Sequence, residues 1–160
     1  MLTAGDLPAG YSVGGLSGRQ SNEQAITGYA DPQAVLKLFN DTGRLDGFIQ
    51  QISSPDSASG VGVSIEVWKD EAGAKLYFDQ FPSPPAEVKP QPFTLAQPLG
   101  DQSTAYHYTI GAGGGTSIAW RRGRVLLGVG EPAASQAALD HLLQIAALLD
   151  AKAKAAQGSP

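Results

Sequence analysis

The side chains with most chemical reach are two histidines, a glycine run, three clustered arginines and two tryptophans. His107 and His141 are the only imidazoles, and no HxH or HxxxH spacing pairs them. A metal or acid–base site needs more convergent ligands than these two supply, so both read as surface or hydrogen-bonded polar groups. The glycines around 111–115 would cradle a phosphate if they opened a helix and were followed by Lys-Ser/Thr. They are followed instead by Thr116-Ser117-Ile118-Ala119-Trp120, a strand pattern, so the run reads as a hairpin loop. No Gly-x-Ser-x-Gly elbow is present, and Ser57-Ala58-Ser59-Gly60 reads as a loop. Cysteine is absent, which excludes disulfides, thiolate metal sites and a cysteine nucleophile. Asp70 and Glu71 are explained by helix-cap electrostatics. Glu66 and Asp101 would form a carboxylate pair only if the sheet brought them together, and Asp101 reads as shaping the turn into its strand. Asn40-Asp41-Thr42 matches a glycosylation sequon but reads as the polar end of a helix. No catalytic, cofactor or metal site is expected.

The remaining candidates are for binding. Arg121, Arg122 and Arg124 stand beside Trp120, and guanidinium groups pair with carboxylates and stack on aromatic rings. The plainer reading, a solvated hairpin tip, is favoured. Three arginines in a chain of net charge −4 are too few for a nucleic-acid surface. Trp68 lies on the strand face opposite Val63, Ile65 and Val67. If helices cover only one face of the sheet, Trp68 marks an open contact surface. If they cover both, it is core. Tyr106 and Tyr108 pose the same question. Partner-binding candidates are therefore Trp68, Tyr106, Tyr108, Trp120, Arg121, Arg122 and Arg124.

These residues are held by elements that the pattern marks out. A chain of 160 residues is the size of one domain, 1–160, and 42% hydrophobic residues suffice for a core without metal or cross-link. Tyr11-Ser12-Val13 starts a strand, and Ile26-Thr27-Gly28-Tyr29 is read as another. Asp31-Pro32 opens a helix over 32–41 with Val35, Leu36, Leu38 and Phe39 on its apolar side, stopped by Gly43. Residues 45–53 read as a strand, with a continued helix as the rival. Residues 61–68 are the clearest strand. Asp70 caps a helix over 71–81 whose buried stripe is Ala74, Tyr77, Phe78 and Phe81. Six prolines at 82–98 forbid helix and central strand, leaving a long extended crossing tacked down by Phe93 and Leu95. Residues 103–110, 116–121 and 124–129 form an antiparallel meander. A final helix over 133–153 carries Ala138, Leu139, Leu142, Leu143, Ala146 and Leu149, and residues 155–160 fray. The expectation is α+β: an antiparallel sheet with a C-terminal three-strand meander, covered by about three helices.

Several short motifs resemble uncharacterised bacterial extracytoplasmic and lipoprotein domains. They are Asp6-Leu7-Pro8-Ala9-Gly10-Tyr11, then Val67-Trp68 with Ala74 and Phe78. Leu99-Gly100-Asp101 precedes a strand, Arg121-Arg122-Gly123-Arg124-Val125 forms a hairpin, and a Leu/Ala-rich helix closes the pattern. The resemblance implies an exported domain whose leader, often ending in a lipidated cysteine, has been removed. In topology alone the chain is similar to the α/β/α sandwich of the photosystem II lumenal extrinsic subunit, which implies a binding or assembly role.

No apolar run reaches the ~18 residues of a membrane span. The chain opens without a leader pattern, which fits a cytoplasmic protein or an exported one already processed. The expected function is a non-catalytic, extracytoplasmic domain binding a partner protein, as an accessory subunit of a larger, membrane-associated complex. The alternative is a carrier of a small apolar ligand between sheet and helices. An enzyme is the least favoured class.

Overall fold

The computed structural model describes residues 1–53, 60–80, 88–132 and 135–157. Its strands are β1 (Ser12–Gln20), β2 (Arg44–Ser53), β3 (Val61–Trp68), β4 (Lys89–Pro92), β5 (Gln102–Ile110), β6 (Gly113–Arg122) and β7 (Val125–Glu131). Its helices are α1 (Asn22–Ala25), α2 (Pro32–Thr42), α3 (Glu71–Asp79) and α4 (Gln136–Gln157). All strands join one antiparallel sheet in the order β1-β2-β3-β7-β6-β5-β4. The α+β expectation therefore holds.

Local chemistry explains the helix boundaries. Asp31 Oδ1 accepts from Ala34 N at 3.0 Å, with Pro32 at the first helical position. Gly43 ends α2 in the left-handed region, φ 75°, and β2 begins at the next residue. Asp70 Oδ1 caps α3 through Gly73 N at 2.8 Å. A Cβ on Gly73 would overlap Thr42 O, so this glycine lets α3 pack closely on the end of α2.

Four expectations need correction. Ile26–Gly28 is a 3-10 turn after α1, not a strand, because Ser21 caps that short helix through Gln24 N. The glycine run is only partly loop. Ile110 pairs with Gly113, so the turn is Gly111-Ala112 and the following glycines belong to β6. A Cβ on Gly115 would overlap the Tyr108 hydroxyl, which lies over it from the neighbouring strand. The proline-rich crossing contains a short strand, β4, at the sheet edge, where proline's missing N–H is tolerated. The final helix runs to Gln157, where the Gln157 amide donates to Arg122 O at 2.7 Å, so residues 155–157 are not frayed. Phe81, the loop at 57–59, the crossing at 82–87 and the tail at 158–160 lie outside the described residues.

Helices cover both faces. On the first, Val63, Val129, Ile118 and Ala105 form a row across four neighbouring strands, sealed by Leu142, Ile145, Ala146 and Leu149 of α4. Ile145 replaces Leu143 of the expected stripe, since Leu143 is partly exposed. Phe93, Leu95 and Leu2 add to this core. On the second face, Val35, Phe39, Ala74 and Tyr77 of α2 and α3 pack over Trp68 and Leu126.

Candidate functional site

The second face is covered over only one end. From Trp68 and Leu126 the sheet continues in two rows of paired residues that point the same way. One row is Ile49, Ser64, Gly128 and Ala119; the other is Gln51, Gly62, Gly130, Ser117 and Tyr106. Between its ends the floor is glycine, serine and alanine. Ile49 and Leu16 rise at one end and Tyr106 at the other, enclosing an open trough of about 490 Å3. No charged side chain is among the described residues that line it. Strand spacing sets its length, from β2 to β5, at about 19 Å. Central strands have their backbone groups paired on both sides, so the floor offers an occupant apolar surface and a few hydroxyls rather than main-chain hydrogen bonds.

Glycine in a central strand is unfavourable to folding and marks a bend or a close approach of another molecule. Cβ atoms built on Gly62 and Gly130 would meet nothing closer than 3.6 Å. Packing therefore does not require glycine at either position. Gly128 differs, since a Cβ there would lie 2.6 Å from Ser64 Oγ.

Beside the trough, toward the helices, lies a buried polar corner. Arg44 has no exposed side-chain surface; its Nε lies 3.3 Å from Glu66 Oε2 and its Nη1 donates to Asn22 Oδ1 at 2.6 Å. Its guanidinium lies 4.6 Å from the Phe39 ring centroid, and Nη2 has no hydrogen-bond partner among the described residues. Gly47 makes room for it, as a Cβ there would overlap Nη2. Burial pushes the Glu66 carboxyl above its ordinary range, against the pull of Arg44. The Tyr29 and Tyr77 hydroxyls lie 3.5 Å apart, and burial raises both phenols.

Of the seven candidate contact residues, Tyr106 alone lines the trough. Trp68 and Trp120 are corrections: both have 0% exposure and are core, because helices cover both faces. Trp68 Nε1 donates to Thr42 Oγ1 at 3.1 Å and Trp120 Nε1 to Asp150 Oδ1 at 3.0 Å. The arginines do not form one patch. Arg121 is buried among Gln102, Glu71 and Gly123 O, while Arg122 is bidentate to Asp150 at 2.8 and 2.6 Å. Arg124 is exposed. Tyr108 is half-buried over Gly115. Asp101, expected to shape the turn into its own strand, instead accepts from Gly123 N at 2.7 Å and so holds the turn between β6 and β7; it does not pair with Glu66.

Both histidines lie on the first face. His107 Nδ1 is 2.9 Å from Thr116 Oγ1, and Phe93 stacks on its ring. Thr116 pairs with Glu131, whose Oε2 is 3.7 Å from His141 Nδ1; neither of those two atoms has a hydrogen-bond partner among the described residues. Among the described residues no group of three or more acidic or imidazole side chains could hold a metal.

Sequence reasoning missed Leu16, Ile49 and the glycine floor. The signal was present: Gly62-Val63-Ser64 and Gly128-Val129-Gly130 alternate large with small, so the face opposite the core row is stripped of side chains. Comparison with protein-family models, with curated proteins and with solved structures finds no match to this chain.

Proposed function

We propose that this chain is a non-catalytic binding domain that holds an uncharged apolar ligand in the trough. One observation carries the reading: the sheet face that α2 and α3 cover at one end is left, at the other, as a walled depression with no charged side chain among the described residues that line it. Its volume, about 490 Å3, falls among small-molecule sites. Its footprint, roughly 19 by 10 Å, is about a quarter of the ~800 Å2 per partner of a stable protein complex. The ligand lies on the sheet beside the helices rather than between the two layers. The test is native mass spectrometry of the protein gently purified from its own host, with binding of the apolar dye Nile red as a second readout. An apolar adduct or dye binding supports the reading; neither, in folded protein, overturns it.

A second reading, docking of a partner protein in a larger complex, is favoured by the apolar rim. Leu16 is 68% exposed, and Val13 and Ile49 are exposed beside it on β1 and β2. A photo-crosslinker at Val13 that captures a defined partner, with capture lost when Leu16→Lys is added, supports this reading. The extracytoplasmic placement implied by the resemblance is a separate proposal, contradicted by recovery of the native protein unlipidated from cytosol.

A further inference from the structure

The trough ends, toward the helices, at groups that accept hydrogen bonds. Glu66 shares its sheet face with Ser64, two residues earlier, which sets it about 7 Å along β3 from the floor. Its side chain is 19% exposed. One carboxylate oxygen is held by Arg44, and the other has no hydrogen-bond partner among the described residues. The Tyr29 hydroxyl lies 3.5 Å from that of Tyr77 in the cluster over the second face, where burial, with the Glu66 carboxylate adding to it, raises the phenol. An apolar floor therefore runs from Leu16 and Ile49 to a corner of acceptor oxygens.

Resting on the ligand-binding reading above, we propose that the occupant is an uncharged amphiphile, an apolar body ending in a hydroxyl-type donor that faces Glu66 and Tyr29. Charge complementarity selects this class. The positive charge of Arg44 is already offset by the Glu66 carboxylate, so an anionic head would set two negative charges against one guanidinium. A cationic head would meet an ion pair that is already neutral.

The experiment uses Nile red as the trough probe and three competitors with one tail: 1-dodecanol, dodecylamine and dodecanoate. The alcohol should displace the dye at a concentration at least ~10-fold below that of dodecanoate, with the amine between. In Glu66→Gln that preference should shrink to about threefold or less, because the amide can still accept from Arg44 and no longer repels an anion. Thermal unfolding reports whether this variant is folded; if it is not, the wild-type ratio decides. Dye binding that Gly130→Val abolishes, together with dodecanoate competing as well as the alcohol, overturns this proposal and leaves the trough reading standing. Failure of the folded wild type to bind the dye, or dye binding that Gly130→Val leaves unchanged, overturns both.

Discussion

Replacing Gly130 with valine should move stability and binding in opposite directions. The position lies at the centre of the trough floor, and a Cβ there meets its nearest atom, Thr116 O, at 3.6 Å, an ordinary contact. Its φ is not in the left-handed region. Glycine in a strand interior costs roughly 0.5–1 kcal/mol in backbone entropy, and a β-branched residue suits a pleated strand, so the variant should gain about 1 kcal/mol. The added methyl groups stand in the trough. An apolar occupant lifted from the floor loses contact worth ~0.8 kcal/mol per methylene, so two displaced methylenes cost about 1.6 kcal/mol, more than tenfold in affinity. Urea unfolding followed by circular dichroism gives the first quantity, provided the m-value is unchanged. Nile red titration gives the second. A destabilised variant, or one that binds as the wild type does, would refute the reasoning that the floor is kept small for an occupant rather than for packing. Gly128→Val is the control: its Cβ would lie 2.6 Å from Ser64 Oγ, and overpacking there should cost about 1–3 kcal/mol.

Trp68→Ala should cost about 3–5 kcal/mol, measurable as a fall in urea midpoint, since the residue is fully buried. Gly47→Ala should destabilise by more than about 2 kcal/mol, because the new methyl displaces a buried guanidinium; an unchanged urea midpoint would contradict the placement of Arg44. Glu131→Gln should hold or raise stability by up to about 1 kcal/mol, because an amide N–H can donate to the unpartnered His141 Nδ1, whereas Glu131→Ala should not. Glu66 gives a pH signature. Its carboxyl is raised in the folded state, so its contribution to stability is fully present below the unfolded value of 4.5 and is lost as pH rises through the folded value. Asp46 and Asp79, both lowered by hydrogen bonds to Arg19 and Lys75, contribute with the opposite sign at lower pH. Subtracting the stability–pH curve of Glu66→Gln from that of the wild type should isolate a difference that falls as pH rises above 4.5; a flat difference contradicts the shift.

Much of the local structure could be read from residue types alone. Asp31-Pro32 and Asp70 open the two helices that cap the second face, Gly43 closes the first of them, and alternation over 61–68 and 103–110 gives strands. These signals are short-range, carried by a side chain and the backbone within a few residues of it. The site was much less legible. Residue type marks Tyr106 as an aromatic on an uncertain face and leaves Trp68 a candidate for the surface, because an isolated strand cannot say which of its faces is covered. Arg121 and Arg122 looked like one exposed tip and are instead tied in different directions, to Glu71 and to Asp150.

By itself the chain determined its elements, their caps and turns, and the residues that share a face within each strand. Tertiary structure alone decided that β7 lies beside β3, uniting Gly62 and Ser64 with Gly128, Gly130, Ser117 and Ala119 in one floor, and that α2 and α3 stop short of it. The reason is physical: a period of two residues reports which way a side chain points, while neighbouring strands and covering helices are chosen by contacts between segments far apart in the chain.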